Sequence, residues 1–593
     1  MKILKKGFVI LGLAVALSTT TSCSIEEGKY NIKSIDIYRK SNTVDKKIDI
    51  RFYNDNPNVP YIGVKEYFKE FYNTDLSINK NKNVFEFKKG EESYIKIDTI
   101  NELLEIKGVM DLSNHPDKHT NNEKKYFKLD SKVETTKQYK AIDLNNYNIL
   151  TYGSNNDVYM PVGLLSNLYG GIYGYTISYN GKSLYVLDQY GELGDGTPRN
   201  DSYYADTYYE ILSSKENRYE DLAKYNYNQL CFTFDNLRGY TSQLVIGDHN
   251  LQTIGLNSVL ESYYPDIKKL LLSTTRSDYD KGIMLLLGSL YDGGHTGLLS
   301  KNPPNFEYYS ELKEDSRFKD LVNKFMAKDQ LKSKNKEAYT NAKTVSLGTD
   351  YASSTFGYHF DNTHKVAYIA FDRFVVDTKR WDQYYNGDKS KLEEMEVSHY
   401  GYDTYAFVRK SLYDAKKDGA QTVVFDFTTN GGGDIDAVMG VMGLINQAKA
   451  SQTYSNIVDK SRTISKYSID INLDGKFDDE DVKEAKAFDF KVVGLTSPVA
   501  FSSGNYMPSL MKSLGFKILG DKSGGGACAI TRETTADGYL YARSGYYVLC
   551  DEKGNEVDSG VSVDYSLVTT KNDGSLDLSK VYDSKTISEY LNK

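Results

Sequence analysis

The feature that most constrains the fold is an alternation of buried-type strands and helices, separated by glycine turns, in the C-terminal part of the chain. YDTYAFVRKSLYDAKKDG is typical of a helix with a glycine stop, and the apolar run VVFDF follows it. The run KVVGLTSPVAF, the helical pattern SGNYMPSLMKSLG and the run FKILGD repeat that order. Such alternation predicts an α/β layer with parallel strands.

Two of these strands lead into residues suited to chemistry. Three glycines end the segment DFTTNGGG, residues 426–433, where backbone N–H groups can approach a ligand closely. Ser502 lies where a strand passes into a helix, and the positive end of a helix favours a developing anion. Each has a simpler interpretation, namely a flexible turn for the glycines and a helix N-cap for Ser502.

A nucleophilic serine also needs a base, and the chain has seven histidines. His295 stands in the glycine turn of LYDGGHTGLL, so far from Ser502 in sequence that the two can meet only through the fold. Taken alone, a histidine in such a turn is more often an ordinary loop residue.

In order along the chain, DGGHTGL, DFTTNGGG, FSSGN and GDKSGGGA resemble the motifs of tail-specific (carboxyl-terminal processing) and tricorn-core serine peptidases, over roughly residues 215–570. The resemblance implies an α/β peptidase domain with a crotonase-like layered core and a helical N-terminal part. By position, it makes His295 the base and Ser502 the nucleophile. The residues that match the oxyanion loop and its backbone donors are Asp426, Asn430, Gly431, Gly432, Gly433 and Ser503.

The chain departs from the family pattern at two places. Thr428 and Thr429 replace the usual arginine–glycine pair, and Gly526 occupies the position at which one branch carries a lysine base. The resemblance therefore implies the histidine mechanism of the tricorn-like branch, in which an acidic residue orients the imidazole. In EVDSGVSVD that residue is Glu556, with Asp558 as its neighbour.

The segment DINLDGKFDDED, residues 470–481, has the spacing of a calcium-binding loop, with Gly475 at the sixth position, where such loops turn. It resembles a single dockerin-type loop. This favours a structural Ca²⁺ in an insertion near residues 460–490 over an acidic surface turn. The predicted ligands are Asp470, Asn472, Asp474, the Lys476 carbonyl, Asp478 and Asp481. No organic cofactor is expected.

The first residues have the order of an export signal. MKILKK is basic, GFVILGLAVAL is apolar but too short to span a bilayer comfortably, and STTTSC ends on Cys23. This predicts a lipid-modified Cys23 and membrane anchoring at the cell envelope, outside the cytoplasm; a plain signal peptide is the alternative. Removing residues 1–22 takes three lysines from a formal charge of −8 and leaves −11, which argues against nucleic-acid partners.

The related segments NVPYIGVKEYFKEFYN and DVYMPVGLLSNLYGG predict a pair of small α+β modules before the peptidase domain. Residues 310–340 are charged and helical, which is typical of a solvated face. The predicted units are a signal peptide (1–22), a lipid-anchored tether (23–30), two α+β modules (31–135 and 136–212), a helical part carrying His295 (213–345) and an α/β catalytic core (346–593).

Together these features predict an exported, membrane-anchored serine endopeptidase that cleaves peptides or unfolded proteins by a Ser–His–Glu mechanism. The alternative is a catalytically inactive surface lipoprotein that binds peptides or other ligands on the same scaffold. A carbohydrate-associated module, suggested by the dockerin-like loop and the 52 tyrosines, is a third hypothesis. Cys528 and Cys550 leave a hairpin disulfide and two free thiols equally open.

Overall fold

The computed structural model describes residues 28–39, 44–113, 126–170, 175–188, 217–239, 245–299, 307–348, 356–397 and 402–591. Within these ranges the protein is a mixed α/β molecule with several sheets. None of the described helices combines the length and the apolar character needed to cross a bilayer. Cys23 and the predicted signal lie outside the described residues.

The N-terminal part contains two sheets and short helices. Its strands are β1 (Tyr30–Arg39), β2 (Val44–Tyr53), β3 (Tyr61–Gly63), β4 (Ser77–Asn81), β5 (Val84–Lys89), β6 (Ser93–Asp98), β7 (Leu103–Lys107), β8 (Phe127–Glu134), β9 (Lys140–Asp143), β10 (Tyr152–Gly153), β11 (Val158–Pro161), β12 (Tyr175–Tyr179) and β13 (Leu184–Asp188). Its helices are α1 (Val64–Tyr72), α2 (Val109–Ser113) and α3 (Val162–Tyr169), with a 3₁₀ turn at Leu144–Tyr147.

The predicted division into two modules at residues 135/136 is corrected by the strand pairing. A seven-stranded sheet runs in the order β10–β11–β3–β2–β1–β13–β12, so it draws strands from both sides of that boundary. The two similar sequence segments are the strand–helix pairs β3–α1 and β11–α3, and β3 pairs with β11 antiparallel. The weak repeat therefore reflects two matching halves of one sheet. The second sheet, β4–β5–β6–β7–β9, also crosses the boundary.

The middle of the chain is helical. Its helices are α4 (Glu220–Asn236), α5 (Leu251–Ile254), α6 (Leu256–Tyr263), α7 (Pro265–Leu272), α8 (Arg276–Ser289), α9 (Glu307–Glu314) and α10 (Lys319–Leu347), and its short strands are β14 (Val245–Ile246), β15 (His249–Asn250) and β16 (Gly297–Leu298). The turn that carries His295 follows α8 and leads into β16.

The C-terminal part alternates strands and helices. Its strands are β17 (Phe356–Asp361), β18 (Val366–Phe371), β19 (Thr422–Asp426), β20 (Lys449–Asn456), β21 (Arg462–Ile469), β22 (Lys491–Thr496), β23 (Lys517–Gly520), β24 (Cys528–Thr534), β25 (Leu540–Cys550), β26 (Tyr565–Ser566), β27 (Thr569–Thr570) and β28 (Leu576–Asp577). Its helices are α11 (Thr378–Tyr385), α12 (Ser390–Glu396), α13 (Thr404–Asp418), α14 (Ile435–Ile445), α15 (Asp479–Lys486), α16 (Ser503–Ser513) and α17 (Ser584–Leu591).

A six-stranded sheet in the order β17–β18–β19–β22–β23–β26 forms the centre of this part. All its pairings except β17–β18 are parallel, as the alternation of strands and helices predicts. Ala370, Asp426 and Leu495 are in register. The carboxyl ends of β18, β19 and β22 therefore lie side by side, and the glycine loop and the Ser502 turn leave from this edge.

A second sheet in the C-terminal part joins distant segments. Its order is β16–β25–β20–β21–β8, with β24 paired to β25. Gly297 lies opposite Ala542, so the turn carrying His295 is held next to β25. The sheet also includes β8, which the sequence assigned to the first N-terminal module.

The described cysteines Cys231, Cys528 and Cys550 are free and buried. Strands β24 and β25 do form a hairpin, but Cys528 lies opposite Val548 rather than Cys550. The register thus separates the two thiols that the sequence left as a candidate disulfide.

Candidate active site

Ser502 adopts an unusual backbone conformation between β22 and α16. Its φ is 57° and its ψ is −125°, a backbone conformation that residues other than glycine rarely adopt. The Ser502 N–H donates to the Gly525 carbonyl at 2.9 Å, which holds the turn in place. The Ser502 side chain makes no cap hydrogen bond to α16. Its hydroxyl therefore does not act as the N-cap that was the simpler interpretation of the sequence.

The glycine loop packs backbone to backbone against this turn. A Cβ added at Gly432 would lie 2.7 Å from the Ser502 Cβ, and one at Gly504 would lie 2.3 Å from the Asn430 carbonyl oxygen. The Asn430 amide locks the loop, because its Nδ2 donates to the Phe371 carbonyl at 2.6 Å and its Oδ1 accepts from Gly432 N at 2.9 Å. Glycine is needed at both positions for this approach.

Of the predicted oxyanion donors Gly431, Gly432 and Ser503, the first two are already hydrogen-bonded within the protein. Gly431 N donates to the Asp372 carbonyl at 3.0 Å, and Gly432 N donates to Asn430 Oδ1. These two bonds differ from the expectation that Gly431 and Gly432 face an oxyanion. The third donor, Ser503 N–H, has no acceptor among the described residues, while the Ser503 hydroxyl donates to the Gly433 carbonyl at 2.7 Å.

The buried side chain of Lys343 holds the glycine loop in place. Lys343 of α10 is 3% exposed, and its Nζ donates to Thr429 Oγ1 at 2.6 Å and lies 3.2 Å from Asp426 Oδ2. Asp426 Oδ1 in turn accepts from the Thr428 N–H and hydroxyl. Where the resembled family carries an arginine inside this loop, a cation from another element reaches it here. This role could not be predicted from the sequence, because Lys343 lies on α10, whose charges are typical of a solvated face.

His295 is held by a buried carboxylate that the sequence analysis did not single out. His295 is 2% exposed, and its backbone N–H donates to Asp292 Oδ1 at 3.0 Å, as does Thr296 N at 2.9 Å. Arg238 Nη2 donates to Asp292 Oδ2 at 3.2 Å. Asp292 therefore fixes the histidine turn to the segment just after α4 through Arg238.

The group beside the His295 imidazole is a serine hydroxyl. Ser544 Oγ of β25 lies 3.4 Å from His295 Nδ1 and donates to Asp292 Oδ2 at 2.9 Å. Glu556, the predicted acidic partner, is exposed and has no contact with His295 among the described residues. Its neighbour Asp558 is buried and accepts from Ala527 N at 2.9 Å. The groups beside the His295 imidazole are thus Ser544 and, beyond it, Asp292, whereas the predicted Glu556 is not among them.

Phe501 connects the histidine to the serine turn. Its ring centroid lies 4.8 Å from that of His295, at 60° between the planes. His295 Nε2 is buried and has no hydrogen-bond partner among the described residues, so no hydrogen bond joins it to Ser502 in this conformation. The imidazole is close to the Ser502 turn but is not hydrogen-bonded to the Ser502 hydroxyl.

Phe501 also explains why glycine occupies position 526, where one branch of the resembled family carries a lysine. A Cβ at Gly526 would lie 2.4 Å from the Phe501 ring, and Gly526 has a φ of 83°. A lysine there would require both the ring and the backbone to move. Lys522, the nearest lysine in sequence, is exposed. Another lysine, Lys332 of α10, donates to the Gly293 carbonyl and lies 4.7 Å from the Phe501 ring centroid.

Electrostatics keep the histidine neutral. Burial lowers the pKa of His295 to about 4, with Lys332 lowering it further and Asp292 opposing the shift. Burial raises the pKa of Asp292, but Arg238, His295 and Thr296 outweigh it and bring that pKa to about 2. Burial raises the pKa of Asp558 to about 7. At neutral pH the imidazole can accept a proton, and Asp292 is the charged carboxylate beside it.

The 470–481 loop is shaped by hydrogen bonds within the protein. Both oxygens of Asp481 accept backbone N–H groups, from Ile471 at 2.7 Å and from Asp478 at 3.0 Å. Asp470 accepts from Gly475 N and from the Tyr385 hydroxyl, each at 2.8 Å. In the part of the chain that the structure describes, no three acidic, histidine or cysteine side chains converge to hold a metal. In this conformation Asp470 and Asp481 are therefore engaged by donors of the protein itself.

Part of the chain is similar to a known protein family. Residues 365–567 match the model of peptidase family S41, a family of serine peptidases. The match includes the glycine loop and Ser502, whereas His295 precedes it. No curated protein sequence matches the chain.

Several solved structures show a weaker similarity. A candidate peptidase from Parabacteroides merdae is 15% identical, with 61% of this chain and 94% of that chain covered at a TM-score of 0.38. A lipoprotein from Streptococcus agalactiae is 13% identical (58% and 91%, TM-score 0.32), and a photosystem II D1 C-terminal processing protease is 16% identical (37% and 48%, TM-score 0.25). All three TM-scores are below 0.5, so these likenesses do not bear on this protein's function.

The low pKa of His295 predicts the acid limb of the pH profile. If His295 is the base, kcat/KM should fall only as the pH approaches about 4, well below the ordinary histidine pKa of about 6.5. Lys332→Met removes a neighbouring positive charge, which should raise the His295 pKa and move the limb to higher pH. Lys334→Met, at an exposed position of the same helix, should leave it unchanged. A parental limb at pH 6.5 that ignores Lys332→Met contradicts this assignment.

Proposed function

We propose that this protein is a serine endopeptidase that cleaves peptides or unfolded proteins, with Ser502 as nucleophile and His295 as base. The observation that carries the proposal is the strained Ser502 turn, which packs against the glycine loop. The Ser502 hydroxyl makes no hydrogen bond that caps α16. Strain of this kind at a strand-to-helix turn is typical of an exposed nucleophile. The neutral, buried His295 on the adjoining Phe501 supplies a group able to take its proton.

In the proposed reaction, Ser502 Oγ attacks the scissile carbonyl carbon and its proton passes to His295 Nε2. The carbonyl oxygen becomes an oxyanion, for which Ser503 N–H is the available donor. The tetrahedral intermediate then collapses, the C–N bond breaks, and the imidazolium gives its proton to the leaving amine. Water hydrolyses the acyl-enzyme by the same route. Catalytic hydrogen bonds are often long or absent before substrate binds, so the open Ser502–His295 contact is compatible with this role.

Asp292 and Ser544 take the orienting role in this mechanism. The Ser544 hydroxyl lies between Asp292 Oδ2 and His295 Nδ1, so the carboxylate acts through a neutral group. The negative charge of Asp292 favours the imidazolium that forms when the proton is transferred. Glu556, exposed and remote from these contacts, has no part in this version of the mechanism.

Removing the nucleophile or the base should abolish hydrolysis of an unfolded protein substrate. Ser502→Ala and His295→Ala should each lower kcat/KM by roughly 10⁴-fold or more, and the double variant should lose little beyond either, because the two groups act as one unit. Ser544→Ala should lower it on the order of 10²-fold, the usual effect of a misplaced catalytic group. Melting curves should show that each variant remains folded.

Glu556→Gln and Lys522→Ala are the matched controls and should keep parental activity. A Glu556→Gln loss that equals or exceeds that of Ser544→Ala would restore the predicted Ser–His–Glu arrangement. A serine-directed phosphonate distinguishes the other hypotheses, because an active peptidase is labelled at Ser502 and a binding protein is not. A parent that resists the phosphonate and turns over no peptide would be the inactive ligand-binding lipoprotein.

Export and anchoring form a separate part of the proposal, supported by the basic, apolar and small-residue order that ends at Cys23. Mass spectrometry of the mature N-terminus should find a diacylglyceryl group on Cys23, and the protein should fractionate with membranes. Cys23→Ala should release it. A mature chain that begins elsewhere and is found in the medium would rule out the anchor.

Calcium binding by residues 470–481 stays a prediction of the loop's sequence. A bound ion would add stability to the folded state, so calcium should raise the melting temperature of the parent. Asp474→Ala should remove that effect, whereas Asp479→Ala, outside the predicted ligand set, should retain it. Identical melting of all three proteins with and without calcium would leave the loop as the hydrogen-bonded acidic turn described above.

A further inference from the structure

A polar cavity lies where the N-terminal sheet meets the helical part. Its volume is about 100 Å³, and none of its lining residues belongs to the candidate active site. Its walls include Lys33 of β1, Arg218 just before α4, Arg276 at the start of α8, and Asp537 in the turn between β24 and β25. Three segments far apart in sequence thus bring positive charge to one small space.

The charges in this cavity do not balance. Arg218 Nε donates to Asp537 Oδ2 at 2.5 Å, and Arg276 Nη1 lies 3.6 Å from the same oxygen. Burial raises the pKa of Asp537, but the two arginines outweigh it and the pKa is lowered, so the carboxylate is charged. A second carboxylate near both guanidinium groups, Asp280, accepts from the Tyr539 hydroxyl at 2.6 Å, and burial raises its pKa. With Lys33, three positive charges face these two carboxylates. Asp221 beside the cavity is occupied by two hydrogen bonds from Asn58.

Several donors of the two guanidinium groups have no acceptor. Arg218 is 5% exposed, and its Nη1 donates to the carbonyls of Leu271 and Ser273 at 3.2 Å and 2.7 Å. Its Nη2 is buried without a hydrogen-bond partner, as are Nε and Nη1 of Arg276, although that Nη1 keeps its 3.6 Å ion contact with Asp537. Buried donors in native proteins are almost always paired, and an unpaired one on a charged group is strongly unfavourable. The arrangement calls for an acceptor that the described chain does not itself provide.

We propose that this cavity binds a small oxyanion of the phosphate or carboxylate class. Guanidinium groups present planar donor pairs that suit the oxygens of both ions. The volume is several times the roughly 10–15 Å³ that one water needs, so it admits such an ion but not a nucleotide. The ion would balance the excess positive charge and tie the N-terminal sheet, α4, α8 and the β24–β25 turn together.

The test is the melting of the whole mature protein in rising concentrations of inorganic phosphate, and separately of acetate, with chloride holding the ionic strength constant. An anion that binds the folded state should raise the melting temperature saturably. Arg276→Gln removes two of the unpaired donors and should weaken the apparent affinity about tenfold or more, since one hydrogen bond to a charged group is worth that much. Arg317→Gln makes the same charge change at an exposed arginine paired with Asp315, and it should leave the affinity unchanged.

The outcomes separate the two ion classes and the contrary case. A response to phosphate alone assigns a phosphate site, and a response to acetate alone assigns a carboxylate site. If Arg276→Gln does not fold, Lys33→Gln at the exposed rim of the cavity should still weaken the response. Equal responses in parent, Arg276→Gln and Lys33→Gln, or no saturable response to either ion, would overturn the proposal and leave a cavity filled by water.

Discussion

The buried charge of Asp292 is the interaction on which the site most depends. A carboxylate withdrawn from water loses several kcal/mol of hydration unless donors replace it. Here backbone N–H groups of His295 and Thr296, the hydroxyls of Thr296 and Ser544, and Arg238 all donate to it. These donors come from the histidine turn, the segment just after α4, and β25. Satisfying one charge therefore brings three separate segments together at the imidazole.

A second buried charge organises the other half of the site. Lys343 joins Asp426 at the end of β19 to Thr429 in the glycine loop, and the loop in turn packs on Ser502. Lys332 precedes Lys343 by eleven residues on α10, which is about three helical turns, so both lysines lie on one face of that helix. Lys332 reaches the histidine turn and Lys343 reaches the glycine loop. One long helix thus contacts both the turn that carries His295 and the loop that packs on Ser502.

The parts of this arrangement that follow from sequence are those with a local physical cause. Parallel strands, the glycine loop and the Ser502 turn each require particular residues in consecutive positions, so a pattern exposes them. Ser544 lies in the middle of an ordinary strand, and Lys343 lies on a helix rich in charge. Their roles arise from β25 pairing with β16 and from α10 packing under the sheet, contacts between residues far apart in sequence. Glu556 was predicted from family position, and its exposure shows that neighbouring positions in a motif need not share an environment.

The predicted boundary between two N-terminal modules, at residues 135/136, is wrong for a related reason. Similar strand–helix segments predicted two modules, because similarity indicates repeated units. It does not show whether those units form separate sheets or share one. Short strands such as β3 and β11 cannot form a stable sheet alone, and each completes the other across the predicted boundary. Strand β8 extends the same principle to the peptidase part by pairing with β21.

A neutral imidazole held through a serine hydroxyl also bears on how the base would work. A histidine whose pKa is about 4 is deprotonated across the neutral range, so the whole population is ready to accept a proton. The same low pKa makes it a weak base, and the proton transfer from Ser502 is correspondingly unfavourable. The charge of Asp292, only one hydroxyl away, is the feature that opposes this penalty once the imidazolium forms. Two different parts of the surroundings therefore act on the imidazole. Burial, to which Phe501 contributes, keeps it neutral, and the charge of Asp292, on the Ser544 side, stabilises the imidazolium.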